Sequence, residues 1–185
     1  MLKPLVENFR GIITISGSIK SGKSQLAEFL IKDQKSITYI ATSRPKKNDK
    51  EWELRINVHK KRRPKSWKLI ENPHYICHAI ETLGHKESIL LDSLGGLVEQ
   101  HLMVNSDQWD SFQSEFINCL IKKNLGIVVV AEEIGWGIVP ATPIGHLFRE
   151  RHSKLASILN HHSKRKWLAV NGTAIDLDNI GDPIP

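Results

Sequence analysis

The stretch Gly17-Ser18-Ile19-Lys20-Ser21-Gly22-Lys23-Ser24 decides the fold. Its two glycines, its lysine and its closing hydroxyl stand at the spacing of a phosphate loop. Residues 11–16 before it are apolar and β-branched, and residues 24–32 after it carry helical spacing, so the motif sits between a strand and a helix. In that setting successive backbone N–H groups of Gly17, Ser18, Ile19, Lys20, Ser21 and Gly22 converge on phosphate oxygens at a helix N-terminus. Lys23 would reach the outer phosphates and the Ser24 hydroxyl would bind Mg²⁺. The expected ligand is a nucleoside triphosphate.

Outward from the loop, short β-branched runs alternate with longer helical patterns, the rhythm of a mostly parallel sheet with crossover helices. Strands are expected at 36–42, 67–70, 88–92, 127–131 and 166–170, and helices at 51–61, 73–83, 109–123 and 147–162, with Gly126 as a stop after the third of these helices. The run Ile89-Leu90-Leu91-Asp92 ends in an acid, as a metal-holding strand does beside a phosphate loop. A helix cap is the other reading of Asp92. Glu132 and Glu133 end the next strand and would face the same sheet edge, where open α/β sheets bind ligands. The fold class is α/β, a single P-loop NTPase domain with a RecA-like, mostly parallel sheet flanked by helices. It spans 1–185, with a core at 10–172 and an irregular tail at 173–185.

Composition agrees with one domain. The chain has 185 residues, 40% hydrophobic and 25% charged, which excludes a disordered or fibrous protein. No apolar stretch nears the roughly 18 residues of a membrane span, and the first residues lack the pattern of a secretory signal. Cys77 and Cys119 form neither a disulfide framework nor a metal-ligand spacing, so a reduced, cytoplasmic protein is expected. The net charge is +6 and unevenly placed. Arg44, Lys46, Lys47 and Lys50 lead into Lys60, Lys61, Arg62, Arg63, Lys65 and Lys68, and a second basic stretch runs over 149–166. Such runs serve as solvated faces, as nucleotide phosphate sites or as nucleic-acid surfaces.

The segment after the second strand narrows the choice. Ala41-Thr42-Ser43, Asp49, Glu51, Arg55-Ile56-Asn57-Val58-His59, Arg63-Pro64-Lys65-Ser66-Trp67 and Glu71 occur in that order, and Glu133-Ile134-Gly135-Trp136-Gly137-Ile138-Val139-Pro140 follows later. Together with the phosphate loop, this resembles the bifunctional adenosylcobinamide kinase/adenosylcobinamide-phosphate guanylyltransferase family of cobalamin biosynthesis. The resemblance runs from residue 11 to about 172. Three places differ from the family pattern: Glu132 stands where Asn is usual, Ser153-Lys154-Leu155-Ala156-Ser157 replaces a Gly-Arg-x-Asn-Gln element, and Asp92 stands where Glu is common.

The resemblance implies two transfers. In one, adenosylcobinamide is phosphorylated by ATP or GTP, with Lys23 and a Mg²⁺ on Ser24 and Asp92 stabilising the moving charge. In the other, His59 takes GMP from GTP as a phosphoramidate and passes it on, giving adenosylcobinamide-GDP. An imidazole suits that task, being largely neutral at pH 7 and able to split one transfer into two. Lys60, Lys61, Arg62 and Arg63 would offset charge on the triphosphate and the leaving pyrophosphate. Glu71 would read the guanine edge, and Ala41, Thr42 and Ser43 would border the nucleotide. The resemblance also implies a homotrimer and a corrinoid substrate whose cobalt belongs to the substrate itself, with no nucleic acid expected. Two other functions share these residues: a P-loop NTPase that regulates or drives a nucleic-acid or protein partner, and a family member keeping only one of the two activities.

Overall fold

A computed structural model describes residues 2–44 and 49–184, with the side chains of residues 51–53 and 55 outside that description. Lys46 and Lys47 of the first basic run, and the side chains of Glu51, Trp52 and Arg55, therefore lie outside the described residues.

The seven-stranded sheet has the order β3-β2-β4-β5-β1-β6-β7. Strands β1 (Gly11–Gly17), β2 (Ser36–Ala41), β3 (Lys68–Glu71), β4 (Glu87–Asp92), β5 (Gly126–Glu132) and β6 (Ser163–Val170) pair in parallel, and β7 (Thr173–Asp176) runs antiparallel to β6. The central strands are near-continuous apolar runs because both sheet faces are covered. On one face α1 (Lys23–Ile31) packs Leu26, Ala27, Leu30 and Ile31 against Ile13, Ile15, Leu90, Val128 and Val130. On the other, α3 (Ile76–Glu81), α4 (Leu94–Gln100), α5 (Ser106–Lys123) and α6 (Pro143–His162) cover Ile12, Ile89, Leu91, Ile127 and Val129. Helix α2 (Lys50–Arg62) follows β2, and α7 (Leu177–Ile180) follows β7. Among the described residues no helix is long and apolar enough to cross a membrane.

The architecture is the one expected, with four differences. Residues 173–185, read as an irregular tail, include β7 and α7, held by Arg165 to Asp176 at 2.5 Å and by an ion pair of Lys166 with Asp178. Gly126 does not stop α5; Asn124 does so in a left-handed conformation at φ 46°, and Gly126 opens β5. At its other end α5 is closed by a capping box between Asn105 and Gln108. Helix α6 begins earlier than the apolar spacing suggests, because Pro143 suits a first turn and the Thr142 hydroxyl accepts from Gly145 N–H at 3.2 Å. Helix α4 was not expected at all.

The C-terminal ends of β1, β2, β4 and β5 share one edge, and their loops are tied sideways. Thr42 N–H donates to Asp92 O at 3.1 Å, and the Thr42 hydroxyl donates to Ser93 O at 2.5 Å while accepting from Ser93 N–H at 2.9 Å. Gly96 in α4 lets this happen: a Cβ there would lie 2.5 Å from Thr42 Oγ1 and 2.7 Å from Ser43 N. In an open helix Gly→Ala gains about 1 kcal/mol. Here the backbone must shift, so Gly96→Ala should destabilise by about 1–3 kcal/mol. Urea unfolding with a lower midpoint and unchanged slope would register that loss; a raised midpoint would refute the tight contact.

Candidate functional site

The phosphate loop joins the end of β1 to the start of α1. A Cβ at Gly17 would meet Ala169 O at 2.5 Å and Ser21 Oγ at 2.6 Å, so only glycine fits. Gly22, the α1 N-cap, has φ +100°, a left-handed conformation open to glycine. Ser18, Ile19 and Lys20 form an exposed crown, while Ser21 and Lys23 are buried beneath it. Lys23 Nζ donates to Ser18 O at 2.9 Å, holding the amine under the loop. Burial pulls the Lys23 ammonium below the ordinary lysine range, and the nearby Glu132 and Asp92 carboxylates oppose that only in part.

Asp92, at the end of β4, gathers groups from three other elements. Tyr39 OH of β2 donates to Asp92 Oδ2 at 2.5 Å, and His59 Nδ1 of α2 lies 3.5 Å from the same oxygen. Burial alone would raise the Asp92 carboxyl; hydrogen bonds from His59, Tyr39 and the Ser24 hydroxyl of α1 outweigh it and hold the group below the usual range. Burial, and then the Asp92 charge, push the Tyr39 phenol far up, so it remains a donor. Asp92 is therefore no simple helix cap. Tyr39 was missed because it reads as one more strand residue. The signal lay in the register: Ala41 pairs with Asp92, and Tyr39 is two residues back on the same face, a diagonal position a phenol can span.

The basic cluster is divided rather than pooled. Lys60 lies 3.3 Å from Glu71, both well exposed beside His59. Arg62 makes two hydrogen bonds to Glu28 of α1, at 2.5 and 2.7 Å, and is committed there. Arg63 sits over the Tyr39 ring, 4.4 Å from its centroid. Lys61 is exposed. Thr42 is fully buried in its ties to Ser93, and Gln100 donates to its carbonyl at 2.6 Å. Ala41 O accepts from Asn72 N–H at 2.6 Å. Ala41 and Thr42 thus hold the edge together, and Ser43 at its rim is half-buried.

Much of the second basic stretch is paired or hydrogen-bonded within the chain. Arg149 donates to Gly135 O at 2.5 Å, and buried Arg151 donates to the carbonyls of His101, Leu102 and Val104. Lys154 pairs with Asp110, and Arg165 and Lys166 pair with the acids of β7 and α7. Little of it remains as a phosphate-tracking surface.

Glu132 occupies the edge between Asp92 and the phosphate loop. Its carboxylate accepts from the Ser93 hydroxyl and from Gly95 N–H at 2.9 Å, and His152 Nε2 lies 3.2 Å from Oε2. Burial would raise this carboxyl, but the bonds from His152 and Ser93 hold it below its ordinary range. Ser93 and His152 carried no sequence signal, one standing in a turn and the other inside an amphipathic helix. Beside Glu132 a cleft of about 250 Å³ opens between the end of β5 and α6.

A family model described as cobinamide kinase / cobinamide phosphate guanyltransferase matches residues 13–177. The chain is 29% identical over 181 residues to the bifunctional adenosylcobalamin biosynthesis protein CobU of Escherichia coli K12, covering 90% of this chain and 99% of that one. It is 27% identical to the bifunctional adenosylcobalamin biosynthesis protein CobP of Pseudomonas aeruginosa, covering 92% and 98%. Among solved structures, an ATPase of a bacterial type III secretion system superposes with a TM-score of 0.53 at 11% identity, over 94% of this chain and 59% of that one. A Pyrococcus horikoshii OT3 protein gives 0.51 at 10% identity, over 96% and 94%. At such low identity these two structures bear on the fold alone.

Proposed function

The chain belongs to the cobinamide kinase / cobinamide phosphate guanyltransferase family, and from that premise we propose how its residues divide two transfers around one nucleotide site. The observation that carries the proposal is the meeting of His59 with Asp92, 3.5 Å apart, at the sheet edge that also bears the phosphate loop.

In the kinase step the loop amides and Lys23 hold the triphosphate of ATP or GTP while its γ-phosphoryl passes to the alcohol of the cobinamide side arm. The donor set fits Mg²⁺: the Ser24 hydroxyl is within hydrogen-bonding reach of the Asp92 carboxylate, an all-oxygen pair of the kind a hard cation takes. Ser24 and Asp92 would hold the ion, directly or through water, and the bound ion supplies charge neutralisation at the phosphates.

In the guanylyltransferase step His59 is the nucleophile. Its Nδ1 is turned to Asp92, which leaves Nε2 to attack the α-phosphorus of GTP. The N–P bond forms, the bond from that phosphorus to the bridging oxygen breaks, and pyrophosphate leaves. Cobinamide phosphate then attacks the same phosphorus, giving the GDP-linked product and restoring the imidazole. Tyr39 holds Asp92, and Asp92 holds His59, so the nucleophile is oriented before the nucleotide arrives.

Glu71 reads guanine. Its carboxylate can accept from the guanine N1–H and amino group, a contact adenine leaves unmade. Lys60, next to His59 in α2, reaches Glu71 Oε1 at 3.3 Å and so places that carboxylate on the His59 side. Glu71→Gln should cut GMP transfer by about 10- to 150-fold, the range for a hydrogen bond to a charged group of about 1.5–3 kcal/mol. Kinase activity with ATP should change far less. Steady-state rates of both reactions decide this; equal losses would give Glu71 a structural role.

A further inference from the structure

We propose that the cleft between the end of β5 and α6 receives the alcohol-bearing arm of the acceptor for phosphorylation, and that Glu133 takes the alcohol proton. The proposal rests on the kinase reading above and assigns that reading its acceptor site.

The cleft belongs to the phosphate loop by construction. Glu132 faces Gly17 across the β1–β5 ladder, and Glu133 N–H donates to Gly17 O at 2.8 Å. An acceptor seated there lies beside the outer phosphates rather than remote from them. It also lies clear of His59. Tyr39, which ties the His59–Asp92 pair to the sheet, packs into the core on the α1 face, whereas Leu155 of α6 packs into the core on the opposite face. The two acceptors, imidazole and alcohol, thus approach one phosphate chain from opposite faces of the sheet.

Size and chemistry select the occupant. At about 250 Å³ the cleft falls below the roughly 300–1,000 Å³ of pockets that enclose a drug-sized ligand, so it takes a slender arm and not a macrocycle. Ser157 and Asn160 line it, and their side chains have no hydrogen-bond partner among the described residues. They suit the amide and hydroxyl of a neutral arm. The loop that continues from the cleft wall exposes Trp136, Ile138 and Val139, the last two 96% and 60% exposed, an apolar rest for the bulky body outside.

The two acids differ in what they can do. Both oxygens of Glu132 are engaged, by Ser93 and by Gly95 with His152, and a carboxylate so occupied is a poor proton acceptor. Among the described residues the Glu133 carboxylate accepts only from Gly135 N–H, through Oε1 at 2.9 Å, leaving Oε2 to the acceptor. As the alcohol oxygen bonds to the γ-phosphorus, its proton passes to Glu133, the bond to the bridging oxygen breaks, and the nucleoside diphosphate departs. Glu132 and His152 fix the cleft floor.

The test is steady-state kinase kinetics with cobinamide and ATP on the full chain. Ser157 is exposed, so Ser157→Trp fills the cleft without disturbing the core; the KM for cobinamide should rise at least about tenfold and the KM for ATP stay within about twofold. Glu133→Gln should lower kcat by about 10²-fold or more while the cobinamide KM moves little. An unchanged cobinamide KM in Ser157→Trp overturns the cleft, and an undiminished kcat in Glu133→Gln overturns the base. A wild-type chain that phosphorylates no cobinamide with ATP or GTP overturns the kinase reading itself, and the cleft with it.

Discussion

Lys23→Ala should abolish both transfers and weaken GTP binding by about 10- to 150-fold, since a charged donor to a phosphate oxygen contributes about 1.5–3 kcal/mol in the bound state and more to the rate as charge develops. The amine is buried under the exposed loop crown and already held by Ser18 O at 2.9 Å, so it is in place before nucleotide arrives and loses little freedom on binding. Arginine is no substitute, because a planar fork does not fit where a compact ammonium is enclosed. Calorimetric titration with GTP and Mg²⁺, together with both rate assays, measures the effect. Unchanged affinity would refute the phosphate loop.

The second large effect is a separation of activities. His59→Ala should reduce GMP transfer by at least about 10³-fold, as removal of a nucleophile does, while phosphorylation of cobinamide persists. Phosphoryl transfer under Lys23 needs no imidazole. Asp92 keeps its bonds from Tyr39 and Ser24 in the variant, so the fold has no reason to fail. Mass spectrometry after exposure to GTP and Mg²⁺ should find one GMP on the wild-type chain, at His59, and none on the variant. In protein labelled with ¹⁵N-histidine the phosphorus should couple to Nε2, because Nδ1 faces Asp92. GMP on another residue, or a normal rate of product formation by His59→Ala, would overturn the assignment.

The centre of this fold was legible because its residues answer to local rules. The phosphate loop fixed β1 and α1, and short unbroken apolar runs fixed β4 and β5. What escaped depends on distant contacts. Helix α4 contains Gly95 and Gly96, each costing about 1 kcal/mol in an open helix. Burial reverses their meaning, because the Thr42 backbone and the Glu132 carboxylate leave no room for a methyl group at either position. The tail looked irregular by its aspartates and prolines, yet those aspartates pair with Arg165 and Lys166. In the site, Lys23, Ser24, Asp92 and His59 were legible as residue types, but the approach of His59 to Asp92 was not. Arg62 was not legible as a partner of Glu28, nor Thr42 as a buried tie, because charge and hydroxyl content do not reveal which neighbour claims them.

The sideways ties along the sheet edge bear on how such an enzyme can change over evolutionary time. Thr42 to Ser93, Glu132 to Ser93 and Gly95, Glu133 to Gly17 and Gly172 N–H to Ser21 O link the loops of five strands into one continuous girdle. A substitution in any of those loops propagates to the next, so the donor end of the site tolerates little drift. The exposed stretch around Trp136 and Ile138 and the outer face of α6 stand outside the girdle. New acceptors can be acquired there one residue at a time, by a lineage that keeps its nucleotide chemistry intact.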